Sequence, residues 1–247
     1  MIESVLVLRT PSGLSGDMFL TGLARLVGLD QAGLDELCQS LNMAELAGAA
    51  KLETRAVQGL TGWGLSVNLP KAHHHRHPGD IENIIAASGL SPKAKELSLA
   101  AFAMLAEAEA HVHGVRPEEV HFHEVGALDS ILDVCLTCAL FDRLGPDRFV
   151  CGPLPVCDGV VRCEHGLLSS PAPAALYLLQ GLPIVGLASE GETLTPTALC
   201  LLKAFKAEFG PWPAMVIERQ ERVYGSRLLP GVPNGAVFAF GRIHDLA

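Results

Sequence analysis

Eight of the ten histidines in this 247-residue chain fall between residues 73 and 123. They form clusters reading His73-His74-His75-Arg76-His77, His111-Val112-His113 and His121-Phe122-His123-Glu124. Neutral imidazole is the commonest protein metal ligand and suits nickel, copper, zinc and iron. The first chemistry the pattern suggests is the handling of a transition metal. If residues 121–124 are extended, His121 and His123 project from one face and can share an ion. Glu124 then points the other way, toward a second ligand set or a proton-transfer role. Asp129 and Asp133, four apart on a helix, share a face and add carboxylates. The alternative is a surface strand of solvated histidines ahead of a helix with an acidic first turn.

The other clusters carry less. His73, His75 and His77 also share a face if extended, and Pro70 and Pro78-Gly79 bound them as a loop. That loop reads as a metal-capture or delivery arm, or as a solvated segment that binds soft metals adventitiously. His111 and His113 close a helix, where imidazole interacts with the last carbonyls, and they read as structural. Cys163-Glu164-His165 spaces a thiol and an imidazole for a soft metal or a nucleophile–base pair, with no third group to demand either. Cys135-Leu136-Thr137-Cys138 is a CxxC inside an apolar helical pattern, where packed cysteines are expected.

Two further segments could hold an organic ligand. Ser12-Gly13-Leu14-Ser15-Gly16-Asp17 lies between a strand and a helix, where backbone amides can cradle a phosphate. It lacks the Gly-Lys-[Ser/Thr] of a Walker A loop. Asp17 is a helix cap or a metal or ribose contact. Glu190-Gly191-Glu192 leads into Thr195-Pro196, a natural cap and first turn, so Glu192 and Thr195 are ligand contacts or simply part of the cap.

The elements that must position these residues follow from periodicity and punctuation. Strands are expected at residues 5–8, 51–57, 64–69, 149–151, 184–185, 215–221 and 237–240, the second and third joined by a glycine-rich turn over 59–62. Helices are expected at 18–27, from the Asp30 cap to about Leu41, at 80–87, from Ser91-Pro92 to about His111, from Gly126 or Asp129 to Leu144, and at 172–179 and 196–208. The class is α/β: a mixed sheet covered by helices, with a helical histidine-rich middle segment. One domain over 1–247 is expected, with residues 73–145 as a candidate helical subdomain.

The chain is 49% hydrophobic and 18% charged with a formal charge of −9, which argues against nucleic acid and anionic membrane as partners. No basic leader precedes an apolar run at Met1-Ile2-Glu3, and no apolar tract reaches membrane-span length. Seven cysteines at irregular spacing read as free thiols. A cytoplasmic protein is expected.

Taken in order, these blocks resemble the nickel-insertion (LarC) family. The resemblance rests on Ser12 through Met18-Phe19, His73 to His77 with Asp80-Ile81, and Leu105-Ala106-Glu107-Ala108-Glu109 ahead of His113-Gly114. It continues in Glu119-Val120-His121-Phe122-His123-Glu124-Val125-Gly126-Ala127, Asp129-Ser130-Ile131, Pro153-Leu154-Pro155, Cys163-Glu164-His165-Gly166, Pro171-Ala172-Pro173-Ala174 and Glu190-Gly191-Glu192 with Thr195-Pro196-Thr197.

The resemblance implies CTP-dependent insertion of Ni2+ into a pyridinium bis-thiocarboxylate mononucleotide, forming sulfur and carbon bonds to the metal, with Mg2+ or Mn2+ accompanying CTP. It implies a lyase-type cyclometallase whose product is the cofactor of lactate racemase. His121 and His123 would present the metal, and Glu124 or Asp129 would take the ring proton. His73, His75, His77, Cys163 and His165 are further metal candidates. Ser12, Gly13, Ser15, Gly16, Asp17, Glu192 and Thr195 are ligand candidates.

The sequence departs from the family pattern at Arg9, where an aspartate is usual, at Thr10-Pro11 for Cys-Phe, and at Cys151 and Cys157 for small residues. The family also continues into a C-terminal domain thought to bind CTP, so either a separate C-terminal partner supplies it or the protein is a divergent one with a changed activity; homo-oligomerisation is expected. The rivals are a nickel-binding chaperone or storage protein and a metal-dependent hydrolase.

Overall fold

The computed structural model describes residues 3–70, 76–122, 127–163 and 166–244. In chain order the first half runs β1 (Ser4–Arg9), α1 (Gly16–Leu26), α2 (Gln31–Gln39), β2 (Ala50–Val57), β3 (Leu60–Val67), α3 (Pro78–Ala87), α4 (Pro92–His113) and α5 (Leu128–Leu144). The second half runs β4 (Arg148–Cys151), β5 (Leu154–Val156), β6 (Val160–Cys163), β7 (Gly166–Ser169), α6 (Pro173–Leu178), β8 (Ile184–Gly186), α7 (Pro196–Ala204), β9 (Glu208–Phe209), β10 (Met215–Val223) and β11 (Ala236–Ile243).

Among the described residues the main sheet has seven strands in the order β2-β3-β10-β11-β1-β4-β9. It is mixed: β1 runs antiparallel to β11 and parallel to β4, and β4 runs parallel to β9. The hairpin β2–β3 joins the sheet through a parallel pairing of Trp63 with Val223. Val5, Leu6, Val7 and Leu8 are all fully buried. β1 has neighbours on both edges and covered faces, which is why its sequence is a continuous apolar run rather than an alternation.

Phe19 of α1 lies at the centre of the aromatic core, with ring centroids 5.9 Å from Phe149, 5.5 Å from Phe205 and 5.7 Å from Phe238. These partners come from β4, the end of α7 and β11. The long helix α4 packs against α3, α5, α6 and α7, and its Ala101, Phe102 and Leu105 belong to the same hydrophobic cluster as Leu6, Leu8 and Phe238 of the sheet. The histidine-rich middle therefore shares the core of the sheet.

Cap chemistry sets most helix boundaries. Asp30 accepts from the Gly33 N–H, Ser91 from Ala94 and Thr195 from Ala198, each closing an otherwise orphaned donor. Three expectations shift. The β2–β3 turn is Gln58-Gly59, with φ of 52° and 81°, because a two-residue hairpin needs positive φ at both central positions; Gly62 and Gly64 lie inside β3. The helix expected over 196–208 stops at Ala204, where Lys206 takes φ of 53° before β9. The hairpin β6–β7 and the parallel pair β5–β8 also stand apart from the main sheet, where no strands except 184–185 were anticipated. Among the described residues no helix is long and apolar enough to cross a membrane.

Candidate functional site

The loop from β1 into α1 folds back on the loop before α7. The Leu14 N–H donates to the Thr193 carbonyl (2.8 Å), and the Leu14 carbonyl accepts from the Thr195 N–H (3.2 Å). This isolated parallel bridge, Leu14 to Leu194, joins segments 180 residues apart (194 − 14). Gly13 makes it possible. Its φ is +124°, and a Cβ there would lie 1.9 Å from the Thr193 oxygen.

Beneath the bridge lies a cavity of about 700 Å3, within the size range of small-molecule sites. Three helix N-termini meet at it. Ser15, Gly16 and Asp17 come from the start of α1, Ala127, Asp129 and Ser130 from the start of α5, and Thr195, Pro196 and Thr197 from the start of α7. Pro196 carries no N–H, and the Ser130 and Ala198 amides donate to Asp129 Oδ1 and Thr195 Oγ1, so what the three N-termini share is a partial positive charge, which favours an anion. Ser12, Gly13, Ser15, Gly16, Asp17, Glu192, Thr195 and Asp129 of the sequence-derived candidates all line this cavity. Ser15, rather than Asp17, is the α1 N-cap residue. Asp17 sits in the first turn, where it accepts a hydrogen bond from the Ser15 hydroxyl.

Asp133 lies one turn below Asp129 on α5, against α1. A Cβ on Gly16 would come within 2.6 Å of Asp133 Oδ2, so only glycine lets the two helices approach here. Asp133 is partly exposed through the cavity, while its Oδ1 is buried with no hydrogen-bond partner among the described residues. Burial first, then the charges of Asp17 and Asp129, push this carboxyl well above the ordinary carboxylate range. Glu109 on α4 also faces the cavity, with His113 one turn on at 3.5 Å, and Arg227 lies 3.4 Å from Glu192 across the mouth.

The histidines divide. His77 and His121 come together, ring centroids 4.0 Å apart, because Phe122 pairs with Arg76 in an antiparallel bridge and the His77 Nδ1 lies 3.1 Å from the Val120 carbonyl. Neither ring lines the cavity. His111 stacks on Tyr177 at 4.6 Å, and His113 pairs with Glu109. His73, His75, His123, Glu124, His165 and the side chain of Cys163 lie outside the described residues. Among the described residues no three His, Cys, Asp or Glu side chains are gathered closely enough to hold a metal ion.

Cys135 and Cys138 are buried in α5, the Cys135 thiol pushed up to about 12 chiefly by burial. Arg9, at the end of β1, donates to the Leu8 and Gly210 carbonyls and lies over the Trp212 ring at 4.9 Å, outside the cavity lining.

The family of nickel insertion proteins matches residues 6–240. This chain belongs to that family. A relative from Syntrophotalea carbinolica is 42% identical over 232 residues, covering 94% of this chain and 58% of the relative. The pyridinium-3,5-bisthiocarboxylic acid mononucleotide nickel insertion protein of Desulfitobacterium hafniense is 40% identical over 240 residues, covering 95% and 57%. The protein of the same name from Staphylococcus saprophyticus is 36% identical over 204 residues, covering 83% and 51%. The chain thus spans little more than half the length of these curated relatives. No solved structure matches it.

Within this member of the nickel insertion family, the lining residues that sequence reasoning did not single out include Glu109, Ser130, Thr197 and Arg227, whereas Asp133 was already paired with Asp129 by their spacing. The i,i+4 spacing of Glu109 with His113 was the available signal for Glu109. Nothing local marks Arg227, which reaches the mouth from the segment after β10.

Proposed function

We propose that this chain takes part in inserting nickel into pyridinium-3,5-bisthiocarboxylic acid mononucleotide, with the nucleotide seated in the cavity beneath the Leu14–Leu194 bridge. The observation that carries the reading is the meeting of three helix N-termini at one cavity. A mononucleotide brings a phosphate, and the Thr195 and Thr197 hydroxyls at the positive end of α7 suit it. The Ser12-Gly13 turn, which lines the cavity, is assigned to the ribose or the flat ring.

Nickel is substrate here. Imidazoles can hold Ni2+ and surrender it to softer thiocarboxylate sulfurs. We assign the holding role to His121 and His123, with His77 beside His121. As the carbon–nickel bond forms, the ring C–H bond breaks and its proton passes to a carboxylate. Asp129, in the first turn of α5, and Glu124 are the assigned acceptors. This makes the activity lyase-type cyclometallation. Its CTP requirement, with Mg2+ or Mn2+, is assigned to sequence beyond the part of the relatives that this chain spans, whether continuous with it or on a separate polypeptide.

The separation of the His77–His121 pair from the cavity lining favours a second reading, a nickel carrier that never converts a nucleotide. Nickel transfer to the thiolated mononucleotide, followed by product mass with Mg-CTP and the C-terminal part of a relative supplied, distinguishes the two. Transfer that falls at least tenfold in His121→Ala supports insertion from these histidines. Transfer unchanged in that variant removes their assignment, and nickel binding without any product supports the carrier.

A further inference from the structure

The charge of the cavity does not match an anionic ligand. Among the described residues its lining carries five carboxylates (Asp17, Glu109, Asp129, Asp133 and Glu192) and one guanidinium, Arg227. His113 lies beside Glu109, and Arg227 beside Glu192. Asp17, Asp129 and Asp133 have no cationic side chain among the lining residues. Three helix N-termini offset part of this charge, each equivalent to roughly half a positive charge. A pyridinium carrying two thiocarboxylates and a phosphate is itself a net anion, and seating it here adds to the excess. A buried carboxylate oxygen without a donor is a second and independent sign of a missing partner, because such a group is costly unless paired or metal-bound. Asp133 Oδ1 is such an atom.

We propose that Asp133, with Asp17 beside it, holds a hard divalent cation, Mg2+ or Mn2+, that links the protein to the phosphate of the bound mononucleotide. The bridging half of this inference rests on the cavity being the seat of that nucleotide; the cation half does not. All-oxygen donors select such a cation, whereas imidazoles select nickel. Magnesium commonly uses one or two carboxylates plus substrate phosphate and water rather than a full protein cage. That coordination habit agrees with carboxylates that approach one another without forming a three-ligand cluster among the described residues. Gly16 lets the Asp133 carboxyl pack close against the first turn of α1 and so beside Asp17, since any Cβ there would crowd Oδ2. The division gives the protein two metal chemistries: nitrogen ligands for the nickel that is transferred, oxygen ligands for a cation that stays.

The test is Mn2+ binding to the whole chain, read by electron paramagnetic resonance, first alone and then with nicotinic acid mononucleotide, a sulfur-free pyridinium mononucleotide. Asp133→Asn and Asp17→Asn are compared with the wild type, and thermal melts in chelator establish that each variant folds. The expected result is one Mn2+ per chain, weakened at least about tenfold in both variants, and tightened about tenfold by the nucleotide in the wild type. Equal Mn2+ binding in the wild type and both variants, or none in any, overturns the cation site whatever the nucleotide does. Asp133-dependent Mn2+ binding that the nucleotide leaves unchanged upholds the cation site, overturns the bridge, and counts against the nucleotide's seat.

Discussion

Gly13→Ala is the substitution that loads the bridge above the cavity most directly. The native φ of +124° is one that L side chains rarely adopt, and the new Cβ would stand 1.9 Å from the Thr193 oxygen. An ordinary carbon–oxygen contact is about 3.3 Å or more, so the two loops must part by more than an ångström. Parting breaks both hydrogen bonds of the bridge, from Leu14 to Thr193 and from Thr195 to Leu14. Two such bonds contribute about 1–3 kcal/mol together, and the backbone strain adds about 1–3 kcal/mol. The expected loss is about 2–6 kcal/mol. Gly28→Ala is the control: its φ is +75°, with nothing within 4 Å of the added Cβ, so only conformational strain of about 1–2 kcal/mol applies. Urea titrations of both variants, compared at constant m-value, separate collision from strain. A Gly13→Ala protein no less stable than Gly28→Ala would refute the argument that the bridge is tight and stabilising.

The Asp133 carboxyl has a folded pKa held above its unfolded value, so it binds its proton more tightly in the native state. In metal-free protein, stability should fall as pH rises from about 4 toward that raised value and stay low above it. Asp133→Asn removes this slope and should be the more stable protein at neutral pH; an identical pH profile of urea midpoints would contradict it. Phe19→Ala, which empties a fully buried ring site between β4, α7 and β11, should lower stability by about 3–5 kcal/mol, measured in the same titrations. Cys38, Cys135, Cys138, Cys151, Cys157 and Cys200 are buried, and the Cys151 thiol, like Cys135, is pushed up to about 12 by burial. Iodoacetamide at pH 8 should therefore leave these six unlabelled until denaturant is added, as mass spectrometry of digests would show.

The legible parts of this fold were those set by local chemistry. The Asp30, Ser91-Pro92 and Thr195-Pro196 starts stood out because a capping side chain or an N1 proline acts within one turn. The buried run at Val5 to Leu8 was legible as a strand, but not its neighbours: pairing β1 with β11 depends on contacts across almost the whole chain. The hairpin β6–β7 was obscured because Cys163 and His165 drew a chemical reading and its residues Val160 and Leu167 are exposed rather than alternating. At the site, the loops before α1 and α7 were individually visible as a glycine turn and a helix cap, while the segment carrying Arg227 was not. Their meeting was not, since the Leu14–Leu194 bridge is a tertiary event with no periodic signature. His111 and His113 read correctly as residues closing a helix, yet the Glu109–His113 pair also borders the cavity, which only the packing of α4 beside α5 reveals.

The most direct test of the central claim is a crystal structure of this chain with pyridinium-3,5-bisthiocarboxylic acid mononucleotide bound. The account predicts the nucleotide beneath the Leu14–Leu194 bridge, its phosphate at the first turn of α7 beside Thr195 and Thr197. Full occupancy at any other surface, with the cavity holding only water, would contradict it.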